Sequence, residues 1–354
     1  MTGTFVRFSD PWEHETVVVE RGRRSGLPVA VAVHSTKLGP GFGGVRLWTY
    51  DRWSDGLADV LRLSAAMTLK NAVAGLEAGG GKSVIPLPPG TVLTAERRTA
   101  VFEDLGDVIE SLGGRYRAAE DVGTSAVDMA TIRTRTSHVV GLPRSAGGVG
   151  EPADATAEGV YRSICATLET ATRDASPQGR RVTIAGLGHV GSRLARRLSE
   201  AGAVLTLADV DQSREALADE LGAIWADPAS VHTIAADIFC PAGVGGALTP
   251  AVIDELECLA VVGPANNQLE ASDGDVQLAA RGILYAPDFV VNAGGVIYLA
   301  LASDGAPSAE IAARIAGIGT TLKRVFEIAT ESGRTTVDAA ESIAEERLSA
   351  VSIA

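Results

Sequence analysis

Lys70, in MTLKNA, and Lys82, in GGGKSVI, stand twelve residues apart in stretches that are otherwise apolar, small or glycine-rich. Neither stretch reads as a solvated charged face. A lysine among such neighbours loses water, and two close together repel. Both effects favour the neutral amine and lower its pKa. A neutral lysine can act as a base, and a charged one can hold a carboxylate. A pair can divide those roles, a division that suits chemistry on an amino or keto acid. Surface lysines beside loops are the plain alternative. The GGG before Lys82 argues against it, on the reading that three glycines let backbone approach a ligand closely.

A second constellation is GLGHVG, residues 186–191. It follows the apolar run RVTIA and opens a helical pattern, the context a phosphate-binding turn needs. Gly186 is expected to make the tight turn, Gly188 to admit a pyrophosphate, and Gly191 to let helix pack on strand. His189 and Val190 begin the helix, whose N-terminus favours anions. Asp209, at the end of the following strand pattern VLTLAD, stands where a carboxylate accepts adenine ribose hydroxyls and repels a 2′-phosphate. That favours NAD over NADP. Asp211 competes for the same role, and a helix cap or turn is the structural alternative for Asp209.

The elements that must position these residues fall into two regions. PVAVAVH (28–34) reads as a strand and LGPGFGGVR (38–46) as a glycine-rich loop. Leu57, Val60, Leu61 and Ser64 share a helix face in a run reaching Lys70. Ser83-Val84-Ile85 reads as a short strand closed by Pro86 and Pro88. A helix is expected over 94–112, with Val101, Leu105, Val108, Ile109 and Leu112 inward and Gly113-Gly114 stopping it. RYRAAEDVGTSAVDM reads as a strand entering a loop. SAGGVGEPAD (145–154) is turn-rich and reads as a linker. Beyond it, helices near 156–171, 190–201 and 211–221 alternate with strands at 181–186 and 204–209. DIFCPA, LAVVGPAN and GILYAPD read as further strands. Such alternation points to parallel βαβ units. After residue 293 the chain returns to helix as far as 348.

Composition narrows the function classes. The 354 residues are 46% hydrophobic, enough for two domains with ample cores. A net charge of -13 makes nucleic acid an unexpected partner. Cys165, Cys240 and Cys258 are far apart, with no CxxC or Cys/His metal spacing. No metal site is expected, and buried free thiols in a reducing cytoplasm are the simplest reading. The N-terminus lacks the pattern of a signal peptide, and no apolar run approaches the ~18 residues of a membrane span.

The strings LGPGFGG, MTLKNAVAGLEAGGGKSVI, AEDVGT, GLGHVG, ANNQL and YAPDFVVNAGGV occur in this order. Together they closely resemble the glutamate/leucine/phenylalanine/valine dehydrogenases, nearest the smaller leucine-, valine- and phenylalanine-type members, from about residue 25 to 330. The resemblance implies an α/β chain of two domains with a cleft between them. A mixed α/β substrate and oligomerisation domain would span 1–145, joined by a C-terminal helix at 331–354. A Rossmann-type NAD-binding domain would span 146–330. It also implies a cytoplasmic homo-oligomer acting on amino acid, 2-oxo acid and ammonia. Lys70 matches the lysine that binds the substrate α-carboxylate, and Lys82 the lysine that activates water. Asp121 matches the aspartate that shuttles protons at the substrate nitrogen. Asn266 matches the polar group near substrate and nicotinamide. Asn292 and Thr156 match residues at the nicotinamide end, and Gly43 and Gly44 match glycines whose backbone approaches the substrate. Turn roles are the structural alternative for Asp121, Asn266 and Asn292.

That chemistry fits the residue types. An L-amino acid gives up hydride from its α-carbon, water adds to the resulting imine, and a 2-oxo acid and ammonia leave. Lys82 has to spend time neutral near about pH 8, which costs roughly 3 kcal/mol against an ordinary pKa of ~10.4. Lys70 and a water-poor cleft would push it that way, and Asp121 would oppose them, so the three form a coupled set.

Side-chain specificity is open at this level. Phe42 falls where glutamate-specific relatives carry a lysine, and Leu299 where they carry a serine, so an acidic substrate side chain would meet apolar walls. Ala119 and Val296 look leucine/valine-like, and Leu299 phenylalanine-like. Phe42 departs from the usual small or aliphatic residue; it narrows the pocket, stacks on an aromatic substrate, or points into the core. Pro264 departs from the usual Gly, Ala or Ser ahead of Asn266. Branched aliphatic substrates are favoured, with aromatic amino acids as the alternative. A catalytically weak NAD- or amino-acid-binding regulatory relative is a further class. Retention of Lys70, Lys82 and Asp121 argues for the enzyme.

Overall fold

The computed structural model describes residues 13–351. The start of the N-terminal segment read for a leader, and residues 352–354, lie outside them. The chain divides into two compact units. The first holds residues up to Glu151, with Leu299–Ala306 and the segment from Ala344 onward. The second holds Pro152–Tyr298 and Pro307–Ile343. The division differs from the expected bounds, because the chain returns to the first unit at 299–306 and again at 344 rather than at 331.

The first unit is built on β1 (Thr16–Arg21), β2 (Pro28–Ser35), β3 (Gly41–Thr49), α1 (Trp53–Val73), β4 (Gly79–Leu87), α2 (Ala95–Ser111), β5 (Tyr116–Glu120) and α3 (Ala126–Arg133). Its sheet has the order β1-β2-β4-β3-β5. β1, β2 and β4 pair antiparallel, whereas β3 runs parallel to β4 and β5. Period two divides the side chains between its faces. Val29, Val31, Val33, Val45, Leu47, Ile85, Tyr116 and Ala118 enter one core with Phe102, Leu105 and Ile109 of α2 and Met129 and Ile132 of α3. The opposite face carries Ala30, Ala32 and Val84 against Val60 of α1. Thr94 caps α2 by accepting from the Arg97 N–H, and Gly113, at φ 59°, follows its end.

Two expectations are corrected here. LGPGFGGVR is not a loop: from Gly41 onward it is β3, paired on both edges. The GGG before Lys82 belongs to the fully buried strand β4, and its glycines make room for protein rather than ligand. A Cβ on Gly79 would lie 1.8 Å from the Ser35 carbonyl oxygen, on Gly80 2.1 Å from Thr68 Oγ1, and on Gly81 2.4 Å from the Tyr116 ring.

The second unit holds α4 (Ala153–Thr172), β6 (Arg181–Ala185), α5 (His189–Glu200), β7 (Val204–Ala208), α6 (Glu215–Leu221), β8 (Ile224–Trp225), β9 (Ala236–Pro241), α7 (Pro250–Glu255), β10 (Cys258–Val261), α8 (Gly274–Ala280), β11 (Leu284–Tyr285) and α9 (Asp288–Val291). The final helices are α10 (Gly294–Ser303), α11 (Ser308–Ser332) and α12 (Thr336–Ala350). The six strands are all parallel, in the order β8-β7-β6-β9-β10-β11. Counted from β6, that is 3-2-1-4-5-6, the Rossmann order. Cys240 is buried in this sheet and all three cysteines are free thiols. No helix among the described residues is long and apolar enough to cross a membrane, and no group of three or more His, Cys, Asp or Glu there could hold a metal ion.

Candidate active site

Phe42, Gly44, Lys82 and Ala119 lie on the sheet face opposite the main core. Phe42, Gly44 and Arg46 alternate along β3, and Arg117 and Ala119 along β5, with Asp121 just beyond it. Phe42 lies level with Gly80 on one side and Arg117 on the other, and Gly44 lies level with Ala119. Lys82, on β4, is almost fully buried. Its Nζ reaches Asp121 Oδ2 at 3.0 Å, past Gly44. A Cβ on Gly44 would sit 2.6 Å from Asp121 Cβ and 3.2 Å from Lys82 Nζ, so glycine leaves the space in which the pair meets. Gly43 is closed off instead, since a Cβ there would lie 1.9 Å from the Gly81 carbonyl oxygen. Tyr116 donates to the carbonyl oxygens of Gly43 and Gly44 and accepts from the Ser83 hydroxyl, which fixes the β3 backbone beneath the pair.

Sequence reasoning missed the rest of the charge group. Arg46 Nε donates to the same Asp121 oxygen at 2.9 Å, and its Nη1 donates to Asp59 Oδ2 at 3.0 Å. Tyr50 Oη and Arg62 Nη2 also donate to Asp59, each at 2.7 Å. With Lys82 protonated, the group holds three cations and two carboxylates; with Lys82 neutral, its formal charges cancel. Burial pushes the Lys82 ammonium below its ordinary value, Arg46 adds to that push, and Asp121 opposes it. Burial works against the charge on Asp121, but Lys82 and Arg46 outweigh it and hold the carboxyl down at about 2. Arg46 is thus a cation bearing on Lys82 that the sequence reading, which named Lys70, did not include. The available signal was an arginine at strand spacing from Gly44.

Lys70 is half-buried in the last turn of α1, where a cation also suits the helix C-terminus. Phe42 is buried, with the Arg117 guanidinium 5.8 Å above its ring and Arg117 paired to Asp304 at 2.9 Å. Ala119 and Leu299 are buried in this first unit. Val296 belongs to the second unit and is half-buried.

In the second unit, Gly186 turns the chain at φ 113° after β6. Gly191 packs so closely that a Cβ would lie 2.0 Å from the Gly186 carbonyl oxygen. A Cβ on Gly188 would meet nothing within 4 Å, so this glycine faces open space at the N-terminus of α5. His189 and Val190 form the first turn there, at the positive end of the helix. Asp209 accepts from the Leu187 N–H at 2.5 Å and from the Asp211 N–H at 2.8 Å, tying the glycine turn to the end of β7. Asp211 caps the turn that follows by accepting from the Ser213 N–H and hydroxyl. Asp209 thus combines the turn role with a carboxylate beside the open glycine, while Asp211 is taken up locally. Asn292 donates to Asn266 Oδ1 at 2.8 Å and to the Pro264 carbonyl oxygen at 3.1 Å. Pro264 therefore helps anchor the asparagine pair. Thr156 donates to the Pro152 carbonyl oxygen, and its hydroxyl lies 2.7 Å from where a Cβ on Gly295 would fall. The open space at Gly188, the helix end and Asp209 fit a dinucleotide.

A Rossmann-type sheet with its glycine turn in one unit, and a buried lysine–aspartate pair in the other, point to a dehydrogenase class. Comparison with known proteins identifies which one. The Glu/Leu/Phe/Val dehydrogenase dimerisation domain matches residues 6–138, and the Glutamate/Leucine/Phenylalanine/Valine dehydrogenase domain matches 209–352. A leucine dehydrogenase of Thermoactinomyces intermedius is 38% identical over 342 residues, covering 96% of this chain and 92% of the relative. A valine dehydrogenase of Streptomyces virginiae is 39% identical, covering 96% and 95%. The crystal structure of L-tryptophan dehydrogenase from Nostoc punctiforme superposes with a TM-score of 0.83 at 35% identity, covering 96% of each chain. The chain belongs to the glutamate/leucine/phenylalanine/valine dehydrogenase family and is an amino-acid dehydrogenase, which implies a nicotinamide cofactor.

Proposed function

We propose that the protein catalyses NAD-dependent, reversible oxidative deamination of an apolar L-amino acid, with branched aliphatic side chains favoured. The observation that carries this reading is the buried Lys82–Asp121 pair at 3.0 Å, on a sheet face shared with apolar Phe42 and Ala119. The leucine and valine dehydrogenases among the relatives support the choice of side chain.

Lys70 holds the substrate α-carboxylate. Asp121, ionised, takes the proton released at the substrate nitrogen. The nicotinamide, when bound, supplies the hydride acceptor. Lys82, neutral, takes a proton from the water whose oxygen bonds to the α-carbon. Once Lys82 has passed that proton to solvent, it takes the adduct's hydroxyl proton as the carbon–oxygen double bond forms, while Asp121 returns its proton to the nitrogen and the carbon–nitrogen bond breaks, so ammonia leaves and the 2-oxo acid remains. Gly186, Gly188, the first turn of α5 and Asp209 hold the dinucleotide, with Thr156, Asn266 and Asn292 towards its nicotinamide end. The negative charge of Asp209 favours NAD over NADP. A cytoplasmic homo-oligomer completes the proposal.

The test is a panel of L-amino acids with NAD at alkaline pH, read as NADH absorbance. Higher kcat/KM for leucine or valine supports the reading, and preference for glutamate contradicts it. Aromatic preference would favour the second reading, which the tryptophan dehydrogenase relative and the Phe42 ring support. No turnover with any member would favour the regulatory alternative.

A further inference from the structure

We infer that Arg46 is a positioning residue that fixes which oxygen of Asp121 meets the substrate nitrogen, with Asp59 as its anchor. This rests on the proposed roles of Lys82 and Asp121. Both cations that touch Asp121 end on one atom: Lys82 Nζ and Arg46 Nε each reach Oδ2. Oδ1 takes no hydrogen bond or ion pair from any described residue, so it is the oxygen left for a proton in transit. A carboxylate held only by a lysine can rotate and exchange its oxygens, because an ammonium is a point charge. A guanidinium is a rigid planar fork. Here Nε of the fork grips Asp121 and Nη1 grips Asp59.

Asp59 is itself restrained, by Tyr50 Oη on Oδ2 and Arg62 on Oδ1. The chain of contacts therefore runs from α1 through β3 to the turn after β5. Its members come from positions 46, 50, 59, 62 and 121, and each carboxylate in it is gripped by at least two donors. Electrically, Arg46 favours the neutral form of Lys82 and Asp59 favours the charged form. The two residues therefore act in opposite senses on the base while acting together on the geometry.

The experiment compares the full-length wild type with Arg46→Gln, Arg46→Lys and Asp59→Asn, using NAD and the best amino acid of the panel. It reads kcat, KM and the pH dependence of kcat, with Lys82→Ala assayed alongside. Arg46→Gln is expected to lower kcat on the order of 10²-fold with KM little changed, since positioning is realised in the transition state. Its rising pH limb should move to higher pH. Arg46→Lys should restore the limb without restoring full kcat. Asp59→Asn should lower kcat by less and move the limb to lower pH. Wild-type kcat in Arg46→Gln, or limbs that move in the same direction in Arg46→Gln and Asp59→Asn, would overturn the inference. If Arg46→Gln loses its cooperative circular-dichroism melt, Asp59→Asn and Arg46→Lys decide: an unmoved limb in Asp59→Asn overturns it. Retained turnover in Lys82→Ala would instead overturn the base assignment on which it rests.

Discussion

In the second unit the candidate cofactor site is made mostly of backbone. In the first the candidate catalytic site is made of side chains. The GLGHVG turn needs three glycines in one short run, each for a local reason: positive φ at Gly186, open space at Gly188, close packing at Gly191. The Lys82 group draws on β3, β4, α1 and the turn after β5, and works because β3 lies between β4 and β5 with a glycine at 44, across which Lys82 and Asp121 meet. A site of the first kind tolerates many side chains and fails when a Cβ is added. A site of the second kind fails when one charge is lost, because a buried charge left without its partner is strongly unfavourable.

The largest effect should follow from removing the base. Lys82→Ala is expected to lower kcat by about 10²–10⁴-fold, the range for a positioned acid–base group. NAD affinity by nucleotide titration should survive, since Lys82 belongs to the first unit. Equal loss of both properties would show that the two sites do not separate as their construction suggests.

Adding a single methyl should come next. Gly44→Ala puts a Cβ 2.6 Å from Asp121 Cβ and 3.2 Å from Lys82 Nζ, which forces the pair apart. A displacement near 1 Å costs up to about 10²-fold in rate. Steady-state kinetics should show kcat falling while the cooperative melt is retained. Unchanged kcat would mean that the contact at Gly44 does not set the geometry of the pair.

A smaller change is expected at the cofactor turn. Asp209→Ser should lower kcat/KM for NAD more than for NADP, with a charged hydrogen bond worth about 1.5–3 kcal/mol. Because Asp209 also holds the Leu187 N–H, some loss with NADP is expected too. An unchanged NAD-to-NADP ratio would leave Asp209 as a purely structural anchor.

The same contrast explains what could be read from the chain. The glycine turn, its strand and its helix were legible because their signals are contiguous. β2, α2 and α4 were legible from periodicity, with ends within a few residues. The strands β1 and β8 were not seen: β1 is an exposed edge strand and β8 has only two residues, too short for a pattern. LGPGFGGVR read as loop because four glycines suggest one. In place, Gly43 and Gly44 let β3 lie against β4 and Asp121 without collision. GGG was taken as space for a ligand when it is space for Ser35, Thr68 and Tyr116. Lys82 was singled out by its apolar, glycine-rich surroundings, and Asp121 through the family resemblance. Arg46 carries only its strand spacing from Gly44 as a mark and Asp59 carries none, since their meaning comes from pairing across strand and helix.

The base assignment is tested most directly by the pH dependence of kcat in the wild-type enzyme with saturating amino acid and NAD. Burial, then Arg46, lower the pKa of Lys82 from its ordinary 10.5, with Asp121 opposing them. Asp121 is already ionised across the whole accessible range, being held at about 2. A base with a lowered pKa becomes neutral as pH rises, so kcat should climb through a single ionisation and level off below pH 10.5. A kcat that shows no ionisation at any pH, or one still climbing at pH 10.5 as for a solvated lysine, would contradict a buried Lys82 as the base.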